Sequence, residues 1–160
     1  MDLNMRTNLP KKVKMLELLC RDGFQHSKKF IPTETKLWFL NQCINAGYEV
    51  IEVTNFAHTK FVPQHRDAEE LLRKVWQFDQ VKQGKVQLKC YGMTNKAFER
   101  AAEAAQKGYP PHSVAFTISA EDFHGRRNSG RTREEYFEEI PYFVRVAEAN
   151  GFEVNMAIAC

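Results

Sequence analysis

The chain has 160 residues, 43% of them hydrophobic and 27% charged, with a formal net charge of +3. That length can bury a sizeable core as one domain, the balance suggests neither a disordered segment nor a fibre, and the net charge is too small to imply a nucleic-acid partner by itself. No apolar run reaches the ~20 residues of a membrane-spanning helix, and the basic start MDLNMRTNLPKKVK lacks the apolar stretch of a secretory signal, so the expected compartment is cytoplasmic, with no membrane partner.

Residues 1–11 are expected to form a flexible lead. Val13, Met15, Leu16, Leu18 and Leu19 predict a first strand over 13–19, broken by Arg21, Asp22 and Gly23, where Gly23 permits a turn. A helix is expected from Thr33, read as its N-cap, to Ala46, with Gly47 as the stop. The second strand is YEVIEVTN, 48–55, and its helix covers 67–78. The third strand, VQLKCYG, spans 86–92, and a helix follows from Thr94 to Gly108. The fourth strand, SVAFTIS, spans 113–119. A polar loop, EDFHGRRNSGR, leads to a helix over 132–150, where Thr132 and Glu135 fit a capping box. FEVNMAIAC, 152–160, reads as the fifth strand. Cys20, Cys43, Cys90 and Cys160 show no CxxC spacing, which favours reduced core thiols over disulfides or a zinc knot.

Regular strand–helix alternation leaves two architectures: an open doubly wound sheet, or the N-terminal portion, about five βα units, of a TIM (β/α)8 barrel. Strand starts recur every ~35 residues, near the ~31 of eight units in about 250 residues. Side-chain parity favours the barrel. Val50, Glu52 and Thr54 share one face of the second strand, and Glu153, Asn155, Ala157 and Ala159 share one face of the fifth. A sheet covered by helices on both sides needs two apolar faces, whereas a barrel interior accommodates a polar one. On this reading 1–160 is an incomplete barrel domain, with unpaired strand edges that need cover.

In parallel α/β folds the working groups sit at the carboxyl ends of strands. Arg21 and Asp22 follow the first strand, Glu52 and Asn55 end the second, and Ser119 and Glu121 follow the fourth. Glu52 lies within an apolar strand, where an unpaired carboxylate is costly, and an arginine across the rim is its natural partner. The stretch HGRRNSGRTR, 124–133, has three readings: a solvated loop, a holder of substrate carboxylate or CoA phosphate through Arg126 and Asn128, or a nucleic-acid contact. The last is disfavoured because the other faces lack basic residues interleaved with aromatics.

RDGFQ after a strand, GYEVIEVTNF with its central glutamate, and HTKFVPQHRDAEELL together resemble the 3-hydroxy-3-methylglutaryl-CoA lyase branch of the DRE-TIM metallolyases, over about Leu9 to Cys160. VPQ, 62–64, favours the lyases over the related synthases. The resemblance implies that Asp22 binds a divalent cation, Mg²⁺ or Mn²⁺, as a hard oxygen ligand. It implies that Arg21 polarises the substrate carbonyl and stabilises the enolate oxygen, that Glu52 orders this arginine, and that Gln25 lies near the rim. The family's His-x-His pair, its metal-binding asparagine and its mobile-loop cysteine correspond to positions past the fifth strand, so Cys160 is not assigned as that cysteine.

Departures from the family pattern are Cys20 in place of proline, Phe24 in place of leucine, Asn55 in place of a small residue, and GMTN where Pro-Asn is common. The expected parent is a metal-dependent carbon–carbon lyase acting on an acyl-CoA or a hydroxy or oxo acid, dimeric when complete. This chain alone is expected to be inactive. The alternatives are a condensing synthase of the same superfamily and a non-catalytic half-barrel acting through a partner.

Overall fold

In a computed structural model, which describes residues 10–159, the alternating pattern becomes a five-stranded parallel sheet. The strands are β1 (Leu16–Glu17), β2 (Val50–Asn55), β3 (Gln87–Tyr91), β4 (Ser113–Ser119) and β5 (Glu153–Ala159). Their spatial order is β1-β2-β3-β4-β5, every neighbour parallel. A doubly wound sheet reverses its strand order at a switch point, whereas a β/α barrel continues in sequence around its wall. The order observed is that of the barrel.

The helices are α1 (Thr33–Asn45), α2 (Ala68–Val75), α3 (Asp79–Lys82), α4 (Asn95–Gln106), α5 (Asp122–Ser129) and α6 (Arg133–Asn150). Ile51, Leu88, Val114 and Ile118 from the strands are buried with Leu71, Leu72, Phe98 and Phe143 from the helices. Phe98 and Phe143 stack with centroids 4.2 Å apart, and Phe116 meets Phe143 edge-on at 5.3 Å, which locks α4 and α6 onto β4. No helix among the described residues is long and apolar enough to cross a membrane. The expected flexible lead falls almost wholly outside the described residues, and Cys160 lies outside them too.

The capping box forms as expected, with Thr132 accepting from the Glu135 amide and Glu135 accepting from the Thr132 amide. Thr94 caps α4, its hydroxyl accepting from the Ala97 amide. Thr33, by contrast, is the first residue of α1 and no cap; its hydroxyl donates to Asp67 at 2.8 Å.

Three further local expectations are corrected. The first strand shrinks to Leu16–Glu17, and Leu19–Gly23 forms a π-helical turn, because only two residues find partners on β2. Gly23 lies in this turn as expected, at φ −61°, and a larger residue would not fit because its Cβ would run into the Leu19 side chain. The polar loop after β4 contains α5. Its weak helix formers are offset by Gly130 closing the C-terminus at φ +74°, its N–H bonded to the Arg126 carbonyl at 3.0 Å. Gly125 within α5 is required for close approach, since a Cβ there would sit 2.6 Å from the Arg131 carbonyl oxygen.

The third concerns β2. Its register against β3 slips between Glu52 and Thr54: Glu52 lies opposite Lys89, Thr54 opposite Cys90 and Asn55 opposite Tyr91. A bulge of this kind shifts the alternation of faces by one residue. Thr54 therefore does not share a face with Glu52, and Asn55 does.

Candidate functional site

The site starts from the π-helical turn. Strand β1 stops early, and the turn delivers Arg21 and Asp22 to the carboxyl end of the sheet. The Arg21 guanidinium crosses to β2, where Nη2 donates to Glu52 Oε2 at 3.3 Å, and it donates through Nη1 to Asp22 Oδ1 at 3.1 Å. It also lies 4.4 Å from the centroid of the Tyr91 ring on β3, a cation–π contact. Three strand ends thus grip one guanidinium. Arg21 Nε and Glu52 Oε1 stand 3.3 Å apart as an ion pair, but without hydrogen-bond geometry, so both atoms are buried with an unused valence.

Burial pushes the Glu52 carboxyl above the usual range, and the adjacent Arg21 charge opposes that rise. Burial likewise raises Tyr91, and the neighbouring Thr117 side chain opposes that rise. Below the pair, Glu52, Lys89, Tyr91, Thr117 and Asn155 line the interior of the curved sheet. The polar face expected from parity is the interior face.

Above the pair lies a cleft of about 760 Å³. Arg21, Asp22, Gln25, Asn55 and Asn128, all singled out from the sequence, line it together. The β2 bulge explains why Glu52 and Asn55, three residues apart, both face inward. Asn55 also accepts from the Ala57 amide at 2.8 Å, which shapes the loop after β2. Ser119, Glu121 and Arg126 are not brought to the cleft. Ser119 is buried at the end of β4 beneath α5, Glu121 is exposed at the start of α5, and Arg126 is exposed on α5. Arg127 takes the place expected of Arg126, because the helical turn points adjacent residues in different directions.

Sequence reasoning missed Arg127, Tyr91 and the supports beneath the rim. Gln64, the last residue of VPQ, is buried and fixes the 27–31 loop: its amide nitrogen donates to the carbonyls of Ser27 and Lys29, and its oxygen accepts from the Ile31 amide. Lys36 on α1 is fully buried, donating to the Gln64 carbonyl and to Asp67 Oδ1 at 2.7 Å. Arg100 on α4 forms a two-point pair with Glu69, at 2.6 and 2.8 Å, and donates to the carbonyls of Phe56 and Ala57. A helix pattern conceals Lys36 and Arg100, since long polar residues on a predicted helix normally face water.

Parallel strands in sequential order define a β/α-barrel protein, and an arginine–glutamate pair and a carboxylate gather at its C-terminal rim. The HMGL-like family model matches residues 12–160, and the chain belongs to that family. It is 30% identical to the mitochondrial hydroxymethylglutaryl-CoA lyase of Rattus norvegicus over 152 residues, covering 95% of this chain and 44% of the relative. It is 33% identical over 121 residues to the cytoplasmic 3-hydroxy-3-methylglutaryl-CoA lyase of Mus musculus, covering 74% of this chain and 35% of that one. Among solved structures, the hydroxymethylglutaryl-CoA lyase of Pseudomonas aeruginosa superposes with a TM-score of 0.82 at 27% identity, over 95% of this chain and 47% of that one. The chain spans about half the length of the curated relatives it matches.

Proposed function

We propose that the protein to which these residues belong is a divalent-metal-dependent carbon–carbon lyase that cleaves a 3-hydroxy acyl-CoA, or a related hydroxy acid, by retro-aldol chemistry. The observation that carries this is Arg21: a guanidinium held by Glu52 and Tyr91 at the base of a cleft, beside an exposed carboxylate. Cleavage of the bond between C2 and C3 turns the C3 hydroxyl into a carbonyl as its proton passes to a base or to solvent, and a proton taken up at C2 completes the acyl product. The bonding pair moves onto C2 and is delocalised to the adjacent carbonyl as an enolate. A preorganised cation aimed at that oxygen lowers the barrier, and removing such a donor typically costs 10²–10³ in rate. Arg21 is suited to this because Glu52 and Tyr91 fix its plane before substrate arrives. Glu52 orders the arginine; Gln25, Asn55 and Asn128 supply hydrogen-bonding groups to a substrate, and Arg127 a charge complementary to a carboxylate or phosphate.

Asp22 fits one position of a divalent cation site. Its side chain is half exposed on the cleft, and Arg21 is its only ion-pair partner among the described residues. No group of three His, Cys, Asp or Glu that could hold a metal converges among those residues, so Asp22 would share Mg²⁺ or Mn²⁺ with oxygens of substrate, water or other residues. When bound, the cation would act as a Lewis acid on the hydroxyl and carbonyl oxygens of the substrate. Ser119, Glu121 and Arg126 have no part in this proposal.

The test is to supply the complete protein with 3-hydroxy-3-methylglutaryl-CoA and Mg²⁺ or Mn²⁺ and to follow acetyl-CoA. Metal-dependent release supports the lyase. Consumption of acetyl-CoA with a 2-oxo acid would instead identify a condensing synthase, and neither reaction would remove the proposal.

A further inference from the structure

His65 follows VPQ in a 3-10 turn, is 1% exposed, and belongs to no part of the chemistry above. Both its ring nitrogens are engaged. Nε2 lies 3.0 Å from the main-chain carbonyl oxygen of Arg21, 44 residues away, and Nδ1 lies 3.4 Å from Thr54 Oγ1 in the bulged part of β2. We propose that His65 is the positioning residue for Arg21, clamping the main chain of the π-helical turn to the β2 bulge so that the guanidinium stays on the cleft floor.

Chemistry fixes the tautomer. A carbonyl oxygen can only accept, so Nε2 carries the proton, and Nδ1 is left to accept from the Thr54 hydroxyl. The ring is the neutral Nε2–H form, and burial agrees, holding its pKa down to about 4. The side-chain grip on Arg21 by Glu52 and Tyr91 sets where the guanidinium points; the His65 bond sets where the residue starts. The turn makes few other bonds to the sheet, since β1 contributes only two paired residues. Helix ends leave carbonyls free, and His65 supplies a donor to one that matters. Because a guanidinium sits several bonds from its Cα, a small shift of the turn moves it off the oxygen it must meet.

The inference rests on the proposed role of Arg21, and its test separates the two. In the complete protein, His65→Leu removes both bonds, while His65→Gln keeps an N–H donor for the carbonyl. The expected result is a kcat at least tenfold lower in His65→Leu, a KM changed less than threefold, and most of the loss restored in His65→Gln. In this chain, amide exchange over residues 19–26 should accelerate at least tenfold in His65→Leu and stay near wild type in His65→Gln. An unchanged kcat in His65→Leu, with Arg21→Ala inactive, would overturn the positioning role and leave the lyase reading standing. If Arg21→Ala remains active, the lyase reading fails, and unaltered exchange at 19–26 would then sink the clamp as well. Should His65→Leu not fold, ring ¹⁵N shifts of the wild type decide: an Nδ1–H tautomer at pH 7 contradicts the clamp, and Nε2–H supports it.

Discussion

Lys36→Met should destabilise the fold by about 3–5 kcal/mol, the range expected when one partner of a buried ion pair is removed. Lys36 is fully buried on α1, and its ammonium holds Asp67 Oδ1 at 2.7 Å, the Gln64 carbonyl, and the face of Phe30 at 4.6 Å. Methionine fills most of the volume but leaves the Asp67 carboxylate, 6% exposed, with the Thr33 hydroxyl at 2.8 Å as its one side-chain partner among the described residues. Since a domain is stable by about 5–15 kcal/mol in total, this single change consumes a large share. At roughly 2–4 °C per kcal/mol for a domain of this size, Tm should fall by about 6–20 °C. Urea unfolding, read as a change in midpoint at constant slope, measures it. The double variant Lys36→Met/Asp67→Leu should recover at least half of the loss, because no charge is then stranded. A loss below about 1 kcal/mol in the single variant would refute the reasoning, since the carboxylate would then have found water or another partner.

Three further outcomes follow from the same geometry. Arg100→Ala should speed amide exchange across residues 57–62, because the Phe56 and Ala57 carbonyls lose their donor, and Arg100→Lys should not rescue it, since an ammonium cannot reproduce the two-point pair with Glu69. His65 binds its proton more weakly folded, at about 4, than unfolded, near 6.5. Its contribution is therefore fully present above pH ~6.5 and lost as pH falls towards 4, amounting to about 3 kcal/mol; stability measured from pH 7 to 4 should fall less steeply in His65→Leu than in the wild type. Gln64→Ala should release the 27–31 loop, seen as faster exchange at the Ile31 amide, whose acceptor is the Gln64 side chain.

The barrel was legible in the sequence because its signals are repeated and local. Strand and helix patterns alternate, and Gly151 ends α6 in a left-handed conformation. The convergence of Arg21 with Glu52 was legible for another reason: a charge inside an apolar strand must have a partner. What stayed hidden depends on tertiary context. The β2 bulge has no marker in VIEVTN, so simple alternation misplaced Thr54. Helix α5 overrides the poor propensity of Gly125, Asn128 and Ser129 through its packing and its C-terminal glycine. Lys36 and His65 read as ordinary polar residues until Asp67 and the Arg21 carbonyl are brought beside them by separate segments of the chain.

The central claim is that Arg21 meets the developing enolate while Asp22 holds the cation. The most direct measurement is acetyl-CoA release from 3-hydroxy-3-methylglutaryl-CoA by the complete protein and its Arg21→Ala and Asp22→Ala variants, with Mn²⁺ binding followed alongside by electron paramagnetic resonance. Both variants should lose at least about 10²-fold in turnover. Mn²⁺ should bind more weakly to Asp22→Ala and nearly as in wild type to Arg21→Ala. Turnover at the wild-type rate in either variant would contradict the claim.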